Sequence, residues 1–516
     1  MKLSQILGPE CDAPADAGAV DVTGLTADSR AVKPGFLFAA LPGSKLDGSA
    51  FVPAAVAAGA VAVLAAADSP LHSGPGLMII RSAEPRLALA RMAARFYRHQ
   101  PDIVVAVTGT SGKTSTAFFV RQIWAGLGLK AANLGTLGLV KPDGSLVDTL
   151  TTPDPVTLHA LLAEMAQDGV EHLAMEASSH GLDQRRLDGV RLAAGAFLNL
   201  GRDHLDYHKD TEDYLLAKLR LFDDLLPEGA AAVVNADIPE CERVTEVAYR
   251  RGLKVMTVGV KGKTIRLASQ ASDGFGQRLV VWHEGEKRDL TIPLIGGYQA
   301  HNALMAAGLC MGSGSPPDGV FARLETLRGV PGRLEMVGGS RGGMVVVDYA
   351  HKPDALAAAL RALRPFATGK LVCVFGCGGD RDKGKRPLMG AIACELADAV
   401  IVTDDNPRTE AAAEIRAGVL AGAPGAREIG DRGEAISAAV ATMGKGDVVL
   451  IAGKGHEDYQ IIGEVKHHFS DREETEKAIA REAGRGSAAL DVERAVGRDR
   501  RRGRGRGCGW RDRRVD

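Results

Sequence analysis

The chain is short of several things, and each shortage excludes a class of protein. Its 516 residues include only seven cysteines, an odd number, and none shows CxxC spacing. That argues against a zinc site and against a disulfide framework. Charge of either sign is nearly balanced, at a net −1. From Arg485 onward there are 11 Arg against 5 Asp and Glu, a net of +6, and taking that from −1 leaves −7 on the rest. A mildly acidic body gives no reason to expect a nucleic-acid partner. Long apolar runs are missing too. The best candidate for a membrane span, FVPAAVAAGAVAVLAAA at 51–67, is mostly alanine and contains Pro53 and Gly59. It reads as a helix, a turn and a buried strand. The N-terminal MKLSQILGPECD carries no secretory hydrophobic segment, so a cytoplasmic protein without membrane insertion is expected. There is no internal repeat, and no NKxD base-reading motif, which disfavours a GTPase.

What is present is ordinary in bulk and specific in detail. An apolar content of 45% with 25% charged residues suits a soluble globular protein, and the length suggests roughly three domains. The first hundred residues close on the charged helix RLALARMAARFYRHQPD. From Ile103 to about 330, short apolar runs (IVVAV, HLAMEA, AGAFLNL) alternate with helical stretches, the pattern of a parallel sheet with covering helices. GVPGR at 329–333 marks the next boundary, and VVVDYA, LVCVFG, AVIVTDD and VVLIAG form a further α/β unit. Its FGCGGDR is not a dinucleotide fingerprint, because Arg381 stands where a small residue is needed. The expected fold is α/β in three domains: a small one at 1–100, a central phosphate-loop ATPase domain at 101–329 and a Rossmann-like one at 330–483. The Arg/Gly-rich 484–516 has too little apolar content to order itself and reads as a disordered, solvated tail.

The stretch VVAVTGTSGKTST, 104–116, carries the chemistry. The usual phosphate loop places four residues between its first glycine and the Gly-Lys pair, whereas here two residues separate Gly109 from Gly112-Lys113-Thr114 and Val107 occupies the earlier position. The context compensates: an apolar strand precedes the loop, and a helix with Phe119, Val120, Ile123, Trp124 and Leu127 on one face follows it. Strand, glycine loop, lysine, hydroxyl and helix aim backbone N–H groups at phosphate. Lys113 would reach the β/γ-phosphates and Thr114 would hold a magnesium ion.

The shortened GTxGKT resembles the loop of the Mur ligases and their relative folylpolyglutamate synthase, ATP-dependent amide-forming enzymes, with Ser111 where the family usually has asparagine. The resemblance runs along nearly the whole chain to about residue 483. It implies that Gly109, Thr110, Ser111, Gly112, Lys113, Thr114 and Ser115 bind ATP. Asn302 of GGYQAHNALMA would contact adenine, and Arg333, Asp348 and His351 the ribose and phosphates. Glu176 of LAMEASSHGL and His204 of NLGRDHLDYH correspond to magnesium ligands. Lys218 of AKLR corresponds to a lysine carbamylated by CO₂ (N6-carboxylysine), whose anion supports a second magnesium; with Lys113 and His204 it makes up the catalytic set. A carbamate is the kind of oxygen donor magnesium prefers, where an ammonium would be repelled.

The same resemblance implies the substrates. TADSRAVKPGFLFAALPGSKLDGSAF is similar to a uridine-nucleotide segment, giving Ser29, Ser44, Lys45 and Leu46 to UDP-N-acetylmuramoyl-L-alanyl-D-glutamate, and Thr151, Thr152, Ser178, Gln184 and Arg186 match its dipeptide contacts. Asp405-Asn406-Pro407-Arg408 resembles the signature of members adding meso-diaminopimelate, joined by Arg381, Gly453 and Glu457, with Glu457 on the distal ammonium. Bidentate arginine suits the second carboxylate that distinguishes diaminopimelate from lysine. A monomer is expected.

Overall fold

The computed structural model describes residues 1–43, 47–74, 76–201, 203–204, 207–274 and 276–483. Ser44, Lys45, Leu46 and the 484–516 segment lie outside the described residues. The chain divides into two compact units, one spanning Met1–Arg328 and one starting at Gly329. The first hundred residues and the central region therefore fall in a single unit, and among the described residues no helix is long and apolar enough to cross a membrane.

The first unit holds two sheets. The smaller is four-stranded and parallel, in the order Gly24–Thr26, Phe36–Ala39, Ala62–Ala66, Met78–Ser82. The 51–67 stretch behaves as its pattern predicts, with a helix at Val52–Ala57 and a buried strand at Ala62–Ala66.

The larger sheet has 11 strands. Its parallel body runs Ile265–Asp273, Lys254–Gly259, Ala231–Asn235, Ala194–Phe197, Ile103–Thr108, His172–Glu176, Ala131–Gly135, with antiparallel strands at both edges. Val104 to Val107 are wholly buried. A central parallel strand is covered by helices on both faces, and that is why it reads as an unbroken apolar run. Ile103–Thr108 lies between strands that arrive later in sequence on either side, so three chain segments leave the sheet next to one another at its carboxyl end. Open α/β sheets bind their ligands at such a switch point. The helix Lys113–Gly126 starts there, with Gly112 as a left-handed N-cap and no side chain capping it.

The second unit holds a six-stranded sheet, Glu335–Ser340 antiparallel to Gly343–Asp348, then Val448–Ala452, Leu371–Phe375, Ala399–Val402 and Arg427–Glu428 in parallel, and a two-stranded one, Tyr459–Ile462 with Val465–His468. Strands Gly343–Asp348, Val448–Ala452 and Leu371–Phe375 are buried along their lengths. The segments at the carboxyl ends of its strands are DYAH, GKGHE, GCGGDR and DDNPR, which carry Asp348, His351, Gly453, Glu457, Arg381 and Asp405 to Arg408, all named from the sequence.

Candidate active site

The phosphate loop is held by its neighbours in the sheet. Asn199, just beyond the strand Ala194–Phe197, grips it three times. Its carbonyl accepts from Thr110 N–H at 3.0 Å, its Oδ1 accepts from Ser111 N–H at 2.9 Å, and its Nδ2 donates to Ser111 O at 3.1 Å. Thr110 Oγ1 accepts from Gly201 N–H at 2.8 Å and lies 3.2 Å from the Tyr214 hydroxyl. Gly112 has φ +86°, and a Cβ there would meet Asn302 Oδ1 at 2.5 Å, so the loop and the buried Asn302 demand glycine at this point. Asn302 in turn donates from Nδ2 to Gln299 Oε1 at 2.9 Å. Thr114 lies half-exposed and Ser115 buried on the first turn of the helix.

Two lysine amines converge on one carbonyl. Lys113 Nζ folds back over its own loop, donating to Gly109 O at 2.8 Å and Thr110 O at 3.1 Å, and Lys218 Nζ donates to the same Gly109 O at 3.0 Å. Lys218 stands on the helix Thr211–Arg220 and is 1% exposed, its Nζ 4.3 Å from the centre of the Tyr214 ring. Burial, and secondarily the charge of Lys113, bring the Lys218 ammonium down to about 6. Burial therefore favours its uncharged amine form. A π-helical turn, Leu221–Leu225, follows that helix directly; such turns are frequent at functional sites.

Glu176 ends the strand paired with the loop strand, its Cα opposite that of Val107. It is 1% exposed; Oε1 accepts from Thr136 N–H at 2.8 Å and Oε2 from Thr136 Oγ1 at 3.3 Å. A Cβ on Gly135 would sit 2.1 Å from Oε1, so only glycine leaves room for this carboxylate. His204 has a left-handed backbone, φ +54°. Its ring packs 4.9 Å from that of His180 and 6.2 Å from that of Tyr214, and its Nε2 is 3.6 Å from Asp203 Oδ2. Tyr214 thus brings Lys218, His204 and the loop together. Among the described residues no group of three or more His, Cys, Asp or Glu is placed to hold a metal.

Beside Glu176 lies a continuous network containing the residues matched to a dipeptide. Thr151 Oγ1 is 3.3 Å from Thr136 Oγ1, and Thr152 Oγ1 donates to Glu176 O at 3.0 Å and accepts from Ser178 N–H at 3.2 Å. Ser178 caps the short helix Ser179–Asp183 by accepting from Gly181 N–H. Arg186 donates to Thr152 O at 2.7 Å and to Gln184 Oε1 at 2.8 Å. The neighbouring Arg185 reaches Glu84 at 3.2 Å, joining this region to the first hundred residues. Ser29 is half-buried on a turn beyond the carboxyl end of the strand Gly24–Thr26, apart from this network.

In the second unit the cavity is explicit. About 870 Å³ is lined by Arg381, Asp405, Asn406, Arg408, Gly453 and Glu457, six of the seven residues matched to diaminopimelate, together with Tyr349 and His351. Pro407 instead shapes the backbone of the turn. Arg408 has φ +53° and donates from Nη1 to Gly379 O at 2.8 Å, while its N–H donates to Ile461 O at 3.0 Å. Non-glycine residues held at positive φ carry strain of order 1–3 kcal/mol. Ordinary turns at Glu284 and Arg341 do the same, so the conformation supports the assignment without making it. Arg381 donates to Asp380 O at 3.0 Å. Arg333 lies over the Tyr349 ring at 5.0 Å, Asp348 is buried and accepts from Leu334 and Ala350 N–H, and His351 Nδ1 is 2.8 Å from Tyr349 O. Burial pushes the Asp348 carboxyl up and the His351 imidazole down.

Asn199, Thr136, Tyr214 and Lys454 were not identified from sequence, although each touches a residue that was. Each acts across the sheet or between loops, and no local motif announces that.

The comparisons with known proteins fall on the same segments. The Mur ligase middle-domain model matches residues 107–310, the Mur ligase glutamate-ligase-domain model 332–455 and the Mur ligase family catalytic-domain model 21–97. The UDP-N-acetylmuramoyl-L-alanyl-D-glutamate–2,6-diaminopimelate ligase of Bradyrhizobium diazoefficiens is 54% identical over 486 residues, covering 93% of this chain and 99% of its own. That of Brucella melitensis is 54% identical over 481 residues, covering 93% and 98%. A solved structure of a ligase with the same name superposes with a TM-score of 0.71 at 33% identity, covering 94% of this chain and 99% of that one. With the loop, the buried lysine and all the cavity residues named above except Glu457 lying inside the matched segments, the chain belongs to the Mur ligase family.

Proposed function

We propose that the chain is an ATP-dependent ligase joining meso-diaminopimelate to the D-glutamate γ-carboxylate of UDP-N-acetylmuramoyl-L-alanyl-D-glutamate, a step of cytoplasmic peptidoglycan precursor synthesis. One observation carries the choice of amine: a single cavity holds Arg408, suited to a distal carboxylate, and Glu457, suited to a distal ammonium. The names of the Bradyrhizobium and Brucella relatives support the same substrates.

The chemistry asked of the site is charge management. A carboxylate that attacks a triphosphate meets several negative charges, each worth about 4 kcal/mol at 4 Å in an effective dielectric of 20. Lys113 and the uncapped N-terminus of Lys113–Gly126 answer this from the protein side. Attack of the γ-carboxylate oxygen on the terminal phosphorus gives an acyl phosphate and ADP. The diaminopimelate amine then attacks the acyl carbon, and collapse expels phosphate and leaves the amide. The hydroxyl-rich network at Thr151, Thr152, Ser178, Gln184 and Arg186 orients the acceptor, and the second unit's cavity orients the amine.

Lys218 is chemically ready for carbamylation. Only an unprotonated amine attacks CO₂, forming N–C and releasing a proton, and burial favours that form of this amine. The carbamate would add an oxygen donor to Glu176, His204 and Thr114. Magnesium bound there supplies positive charge against the triphosphate. The test of function is ADP release with UDP-muramoyl-dipeptide and, in turn, diaminopimelate, lysine and ornithine, with a folate and glutamate as a separate substrate pair. Turnover with UDP-muramoyl-dipeptide and diaminopimelate alone is expected, and turnover with lysine in place of diaminopimelate, or with the folate pair, would overturn the proposal.

A further inference from the structure

Behind the amino-acid cavity lies a lysine that neither the motif nor the matched contacts single out. Lys454 is 0% exposed. Its Nζ donates to Asn406 Oδ1 at 3.1 Å and Glu457 Oε2 at 3.3 Å, and lies 3.8 Å from Asp405 Oδ1. Burying an ammonium is expensive, and an apolar side chain of similar volume commonly serves stability as well or better. A lysine at this position therefore calls for a reason beyond packing.

That reason is visible in what Lys454 does to its neighbours. Asn406 Oδ1 accepts from Lys454 and also from Ile461 N–H at 2.9 Å. The acceptor end of the amide is thereby fixed inward, and Nδ2 is turned to donate to Glu457 Oε2 at 3.0 Å. Oε2 thus takes two donors. Oε1, among the described residues, has only the Tyr349 hydroxyl at the long distance of 3.5 Å. One carboxylate oxygen is tied to the protein, and the other remains for the cavity that Glu457 lines.

We propose that Lys454 is a positioning residue for amine selection: it fixes the amide orientation of Asn406 and the oxygen roles of Glu457, so that Oε1 is presented to the distal ammonium of the amino-acid substrate. This rests on the amine assignment made above. The experiment compares kcat/KM for meso-diaminopimelate and for 2-aminopimelate, which lacks the distal amine, in the full chain and in Lys454→Met, with Lys454→Gln as a second variant that keeps a donor without the charge. Wild type should prefer diaminopimelate. In Lys454→Met that preference should fall about tenfold or more, the scale of a lost hydrogen bond to a charged group, while KM for ATP stays unchanged; Lys454→Gln should fall between. Equal loss for both amines, an unchanged preference or a raised one would overturn the proposal and leave the amine assignment standing. Loss of a cooperative melt in both variants would make Lys454 a folding residue and overturn it too. Failure of the wild type to use diaminopimelate would overturn the amine assignment and this proposal together.

Discussion

Burial weakens a lysine's hold on its proton where no carboxylate is in hydrogen-bond reach, and at Lys218 that single fact supplies both a reactive amine and a test. Protein equilibrated with ¹³C-bicarbonate should show a carbamate carbon resonance that Lys218→Ala lacks. The variant should lose most of its turnover, and short carboxylic acids occupying the vacated site should restore part of it. A near-normal rate in Lys218→Ala would reduce the residue to packing. Lys113→Ala should abolish turnover in a protein that still melts cooperatively, because its amine belongs to the phosphate loop and not to the core. His159 reports on stability instead. Burial, with the charge of Arg191 adding to it, holds its imidazole at about 4, below the roughly 6.5 of a free histidine. Between those values the unfolded chain binds a proton that the folded chain refuses, so stability is lost as pH falls from about 6.5 toward 4. By pH 5 this comes to about 2 kcal/mol. The fall in melting temperature from pH 7 to pH 5 should therefore be a few degrees smaller in His159→Gln than in wild type; an equal fall would place the acid sensitivity elsewhere.

At the scale of elements, the loop is as rigid as the strand end that grips it. Asn199→Ala removes two neutral side-chain hydrogen bonds to Ser111, each worth about 0.5–1.5 kcal/mol. KM for ATP should rise roughly tenfold with little change in melting temperature, since the strand Ala194–Phe197 ends before this residue. An unchanged KM would mean that the loop holds its shape unaided. This grip also shows what a reader of the sequence can and cannot see. The strand, the shortened loop and the helix at 103–126 were legible because their signals are contiguous: an apolar run, two glycines and a helical apolar face. The 51–67 stretch was legible for the same reason. Asn199 and Tyr214 were not, because they meet Thr110 only after the sheet has brought distant segments side by side. Lys454 stands between two identified residues, Gly453 and Glu457, and still escaped notice, since its partner Asn406 comes from a distant segment that only the folded sheet brings alongside. Periodicity reports a residue's face, and a parallel sheet then chooses its partners.

For the whole molecule, the proposed assignments turn the division of residues between the units into a division of labour. The phosphate loop, the buried lysine and the hydroxyl network belong to the unit ending at Arg328, and the amino-acid cavity to the unit starting at Gly329. Arg408→Ala should lower kcat/KM for diaminopimelate about 10- to 150-fold, the range for a lost hydrogen bond to a charged partner. KM for ATP should hardly move, and lysine, which has no distal carboxylate to lose, should gain relative to diaminopimelate. An unchanged preference would show that Arg408 serves only the turn. The arrangement of the central sheet has a cost of its own during synthesis. The strand Ile103–Thr108 is flanked by His172–Glu176 and Ala194–Phe197, both made after it. At about 5–20 residues per second, its apolar run waits on the order of 5 to 20 seconds for its second partner. Until then the nascent chain exposes a sticky edge and has no site at all, because the contacts that shape the phosphate loop come from the segment after that last strand. Chains stalled near residue 190 should therefore aggregate or recruit chaperones, whereas chains released beyond the end of the sheet should not.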